Sequence, residues 1–202
     1  MLRLSFINLF FLLGCTGTVN NVFNFTPSKS YEEYLLAYNS CTGKGVVNSE
    51  GSLKGKLPFS FRSQRDSTFL EFSDIIGRKA LFVWITNNSI TARNLIDNKQ
   101  YKYDEVTELL PILKVLEPKD ITKIIWGVQP DYKERLKNIS QSVKNSISLD
   151  FERKNINNER QALVGVSFHD KNSKNSIDID INTRKRNAKF INMKKVWRLL
   201  KY

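Results

Sequence analysis

Leu53-Lys54-Gly55-Lys56-Leu57-Pro58-Phe59-Ser60-Phe61-Arg62 alternates strictly enough to decide the class of the fold. Leu53, Gly55, Leu57, Phe59 and Phe61 point one way; Lys54, Lys56, Pro58, Ser60 and Arg62 point the other. A period of two marks a strand with one buried face. Pro58 has no N–H to give a ladder, so it predicts an edge position, a bulge or a pairing gap. Outward from this stretch, residues 42–48, 68–74, 79–86 and 89–96 read as further strands. Ile75-Ile76-Gly77 forms the turn between the second and third of these flanking strands, and Asn87-Asn88 the turn between the last two.

Farther along, the period changes to that of a helix. Asp104 is an expected N-cap, with Val106, Leu109, Leu110 and Leu113 on one stripe, and Pro111 should kink or split the segment. A second start at Pro118-Lys119-Asp120 leads to Ile121, Ile124, Ile125 and Trp126, with Gly127 as the stop. Upstream, residues 31–38 (YEEYLLAY) read as a short helix with Ser30 as N-cap and Glu33 three residues on. Strands resume at residues 146–152, 162–168 and 177–181, the last with Asp178 and Asp180 on a solvent face. Residues 182–202 hold eight Lys or Arg and no acid among Phe190, Ile191, Val196, Trp197, Leu199 and Leu200. A final strand with a solvated basic face is the preferred reading there; a tail lying on an anionic bilayer is the other. The sum is a mainly β, α+β single domain. Its largely antiparallel sheet has a helical insertion at about residues 104–127 and one helix before it, and curling it over the helices buries one face of each.

The first residues carry a different signal. Met1-Leu2-Arg3 precedes an apolar run over residues 4–13 and then Gly14-Cys15-Thr16-Gly17. A positive start, a short apolar core and a small residue before the cut describe a secretory signal peptide. The run is well short of the roughly 20 residues needed to span a bilayer. Leu12-Leu13-Gly14-Cys15 resembles the bacterial lipobox. That resemblance implies removal of residues 1–14, lipid on Cys15 and a tether over residues 15–30. Thr16 is not the aspartate that retains many lipoproteins at an inner membrane, which places the expected address at the outer membrane. Cys41 is then either a buried small apolar residue or the partner of a cysteine on another chain. Formal charge is +12, from 32 Lys and Arg against 20 Asp and Glu. In an exported protein this favours anionic lipid or another acidic surface over nucleic acid.

Residues 39–130 can be set against a known family. Thr42-Gly43-Lys44-Gly45, the alternating residues 55–61, Phe72-Ser73-Asp74-Ile75-Ile76-Gly77, Asp97-Asn98-Lys99-Gln100-Tyr101 and Ile124-Ile125-Trp126-Gly127-Val128-Gln129-Pro130 follow in the order of landmarks in the LolB-like lipoproteins. These belong to the LolA/LolB-like lipoprotein-carrier superfamily. Ile75 stands where the family has a loop proline, and Trp126 is placed slightly differently against its neighbours. The resemblance implies an unclosed antiparallel β half-barrel with a helical lid over an apolar cavity for lipoprotein acyl chains. It implies a wall of Leu57, Phe59, Phe61, Leu70, Phe72, Leu81 and Val83. The implied lid is Val106, Leu109, Leu110, Leu113, Ile121 and Ile124, and Ile76 is the membrane-contact residue of a loop. Implied partners are acyl chains of lipoproteins or lipids, the membrane surface and a periplasmic carrier protein that hands over cargo.

No residue pattern points to catalysis, a cofactor or a metal. His169 and Asp170 are adjacent on a strand and so face opposite ways. Metal-ligand spacing of His or Cys is absent, as are a nucleophile elbow and a phosphate-cradling glycine loop. Glu71, Asp74, Asp178 and Asp180 read as solvent-face charges. The expected function is acceptance or insertion of lipoproteins at the outer membrane. The competing reading is an assembly lipoprotein whose filled half-barrel docks a protein partner; a secreted hydrolase is a distant third.

Overall fold

The computed structural model describes residues 29–51, 54–137, 140–156 and 159–200. The expected signal peptide, Cys15 and nearly all of the tether lie outside these residues, as does Leu53.

Nine strands form one open sheet: β1 (Ser40–Glu50), β2 (Gly55–Gln64), β3 (Ser67–Ser73), β4 (Lys79–Ile85), β5 (Ile90–Asn94), β6 (Lys99–Tyr101), β7 (Ile147–Ile156), β8 (Glu159–Asp170) and β9 (Asn175–Asn187). Their order is β6-β5-β4-β3-β2-β1-β9-β8-β7, and every pair is antiparallel. β6 and β7 are edges that do not meet, so the half-barrel is unclosed, as expected. Phe59, Phe61 and Ser63 of β2 are buried while Lys56 and Pro58 are exposed, which is the predicted alternation. Pro58 lies opposite Val46, and β3 pairs with β2 only from Phe59 onward. The proline therefore sits where a ladder has ended.

Curvature comes from β1. Its register with β9 slips between Lys44 and Gly45, and such bulges bend a strand. Gly43 and Gly45 lie opposite Phe61 and Phe59. A Cβ at either glycine would come within 2.5 Å of the facing phenyl ring. The rings therefore lie over bare backbone.

Helix α1 (Tyr31–Ala37) starts with the predicted capping box: Ser30 Oγ accepts from Glu33 N–H, and the Glu33 carboxylate accepts from Ser30 N–H at 2.6 Å. The insertion contains α2 (Tyr103–Leu109), a 3-10 turn (Pro111–Lys114) and α3 (Pro118–Trp126). Pro111 splits it, and Gly127 ends α3 at φ +91°. Asp104 is not the N-cap; that position is Lys102, whose N–H donates to Glu105. Two short helices, α4 (Lys133–Lys137) and α5 (Gln141–Ser146), extend the insertion beyond its expected end. Arg135 of α4 ties the lid together: it pairs with Asp120 and donates to Val115 O at 3.3 Å. Asp120 is buried, and desolvation pushes its carboxyl above the usual range against the pull of Glu117 N–H and Arg135. Among the described residues no helix is long and apolar enough to cross a membrane.

The basic C-terminal stretch departs from expectation. Residues 182–187 continue β9, but the chain then forms α6 (Met193–Trp197) and a 3-10 turn (Arg198–Leu200). Val196 and Trp197 pack on the outer face of the sheet against Phe69, Phe82 and Trp84, with Trp84 and Trp197 ring centres 4.7 Å apart. β3 and β4 are thus buried on both faces, which is why residues 68–70 and 82–85 are buried without a break. Trp197→Ala should cost about 2 kcal/mol, less than a core indole because Trp197 is half-buried, read as a lower urea midpoint; an unchanged midpoint would contradict this packing.

Candidate functional site

Strand directions place four connections at one rim. The ends Glu50, Gly55, Ser73, Lys79, Asn94, Lys99, Asp170 and Asn175 all lie there. At the opposite end the concave side is filled. Trp126 is fully buried and donates from Nε1 to Ser63 Oγ at 2.8 Å, and its ring meets Tyr31 edge-on at 5.9 Å. Ser63, Thr68 and Thr122 form a hydroxyl chain at 2.7 and 3.1 Å that joins β2, β3 and α3. Cys41, fully buried here, directs its thiol at Ile125 O at 3.9 Å. It is the small apolar packing residue of the two sequence alternatives.

Between this plug and the rim, α2, the 3-10 turn and α3 stand off the sheet and enclose a cavity of about 500 Å³. Well-packed cores hold few voids larger than a water molecule, so this space is not ordinary packing slack. Of the expected wall, Leu57, Phe59, Leu70, Phe72, Leu81 and Val83 line it; of the expected lid, Val106, Leu110, Leu113, Ile121 and Ile124 do. Phe61 does not. Its ring lies across Gly43 at the level of the plug, where the resemblance had implied a place in the cavity wall. The Leu109 side chain is outside the described set. Sequence reading missed Val47, Ile177 and Ile179, the facing wall on β1 and β9. Their alternation was visible, but nothing local says that β9 pairs with β1.

The lining turns polar only toward the rim, at Ser49, Glu50, Lys54, Asn94, Asn175 and Ser176. An apolar chamber with polar groups at its opening suits a ligand with a hydrocarbon tail and a wet head. The same end carries exposed apolar tips. Ile75 and Ile76 in the β3–β4 turn are 92% and 69% exposed, and Ile96 in the β5–β6 turn is 70% exposed. Asp74 holds the first turn by accepting from Ile76 N–H and Arg78 N–H, and its carboxyl is lowered chiefly by the Arg78 side chain.

The lid is anchored from β9. Arg184 donates from Nε to Ile125 O at 2.8 Å and from Nη2 to both Ile124 O and Leu163 O at 3.2 and 2.9 Å. Arg186 donates to Trp126 O and stacks on the Tyr34 ring, 3.8 Å from its centre. These cations satisfy the terminal carbonyls of α3, where the helix dipole is negative. A Cβ at Gly127 would come within 2.7 Å of Arg186 and 2.9 Å of Arg184. His169 is exposed, while the buried Asp170 accepts from Asn172 N–H and Ser173 Oγ within its own hairpin.

No family model matches this chain, and no curated protein does. Among solved structures it is similar to a LolA superfamily protein from Nitrosomonas europaea, at 8% identity and a TM-score of 0.47 over 83% of this chain and 97% of that one.

Proposed function

We propose that this protein is a LolB-like, lipid-anchored binding protein that accepts or inserts lipoproteins, or another acylated ligand, at the periplasmic side of the outer membrane. The observation that carries the reading is the continuous apolar cavity of about 500 Å³ between sheet and lid, polar only at its rim. Each methylene moved from water into such a space gains about 0.8 kcal/mol, so shielding a tail is sufficient driving force for a carrier. Catalysis has no part in this role. The isoleucine tips beside the rim would enter the membrane surface, with Ile76 joined by Ile75 and Ile96. A periplasmic carrier would deliver cargo to that same opening.

Two measurements test this. Lipid extracted from the purified protein should be detectable by mass spectrometry, and an acylated peptide should displace an apolar fluorescent probe that its unacylated counterpart leaves bound. A protein free of lipid and indifferent to acylation would end the carrier reading and favour the filled assembly module. Anchoring is separate: radiolabelled palmitate should enter the wild-type chain and not Cys15→Ser, and equal labelling of both would refute it.

A further inference from the structure

On the outer face of the sheet, opposite the cavity and bordering the patch that α6 covers, three cations converge on one groove. Thr42 of β1 is flanked by Arg62 of β2 and Lys185 of β9, and Lys44, two residues along, is flanked by Ser60 and Thr183. With neighbouring strands about 4.8 Å apart, Arg62 and Lys185 stand about 10 Å from each other, with Lys44 between them one step along. These six residues, with Gly43, Phe61 and Arg184, line a groove of about 450 Å³. Its outward side chains are three hydroxyls and three cations, and Thr183 Oγ1 accepts from Lys44 N–H at 3.1 Å.

Like charges on adjacent strands repel, and this face does nothing internal to relieve the repulsion. Among the described residues Lys44, Arg62 and Lys185 make no ion pair. Glu71, opposite Ser60 on β3, pairs with Lys79 at 3.2 Å. Nor do these cations cap the lid, as Arg184 and Arg186 do from the opposite face of β9. An external anion would supply the missing countercharge. Lysine, arginine and hydroxyl donors arranged around a concavity match a tetrahedral oxyanion, which accepts from several directions at once.

We infer that this groove binds a phosphate group, independently of what the cavity holds. The test is a titration of the folded chain, followed by the amide NMR shifts of Thr42, Ser60 and Thr183. One arm uses inorganic phosphate against sodium chloride at equal ionic strength. The other measures sedimentation with phosphatidylglycerol vesicles against phosphatidylcholine vesicles. Saturable, phosphate-specific shifts would identify a free phosphate ligand. Shifts absent in solution but vesicle binding that depends on the three cations would identify a lipid-borne phosphate. In either case Lys44→Gln/Arg62→Gln/Lys185→Gln should weaken binding at least about tenfold, since it removes every cationic donor of the three. These exposed or half-exposed positions leave the core intact, and an unchanged amide spectrum elsewhere would verify that. Binding by neither source, shifts reproduced by chloride, or binding indifferent to the triple substitution would overturn the inference.

Discussion

Ile179→Trp should reduce the affinity of an apolar probe or acylated peptide at least about tenfold while leaving the protein folded. Ile179 lines the cavity from β9 and is only half-buried, so an indole there can occupy empty space instead of displacing packed neighbours. The ring takes the place of several methylenes of ligand. At about 0.8 kcal/mol each, losing about two suffices for a tenfold change. Leu81→Trp on the facing wall should act likewise. Val46→Trp is the control: Val46 alternates with the cavity residue Val47 and faces outward, so binding should persist. Unchanged affinity in both cavity variants, with thermal stability retained, would mean the space is not where the ligand sits. A midpoint that rises in Ile179→Trp as binding falls would be the plainest sign of a filled void.

The largest stability loss is expected from Arg184→Leu. One guanidinium serves Ile124 O and Ile125 O at the end of α3 and Leu163 O on β8. Leucine would keep the bulk but strand carbonyls that water cannot easily reach, at about 1–3 kcal/mol for each buried group left unsatisfied. A total of about 3 kcal/mol should appear as a lower urea midpoint with an unchanged slope. Arg184→Lys should not rescue it, because an ammonium lacks the planar fork that reaches three acceptors. A loss below about 0.5 kcal/mol, the size of an ordinary surface substitution, would show that α3 does not depend on this anchor.

Local rules carried much of the architecture. Ser30 with Glu33, Pro111 and Gly127 act where their own chemistry puts them, because caps, breaks and left-handed stops are decided within a few residues. The alternation of residues 55–62 likewise fixes which side faces inward, whatever strand lies alongside. What remained hidden depends on partners distant in sequence. Arg184 and Arg186 look like two more charges in a basic tail until β9 returns to lie against β1 beneath the end of α3. Phe61 and Phe59 are indistinguishable by period, yet one belongs to the plug and the other to the cavity, since α3 descends at one level and stands off at the next. The strand expected over residues 182–202 stops at Asn187, because Phe69, Phe82 and Trp84 needed a cover on the outer face. No rule confined to the tail can see that need.

The plug built around Trp126 has a consequence for traffic. With one end of the half-barrel stoppered and the polar fringe confined to the other, an acyl tail in the proposed role would enter terminal methyl first and withdraw by the same route. Such a molecule is a cup and not a pipe. For the carrier role proposed above, uptake and release would be successive visits to two different partners at a single opening.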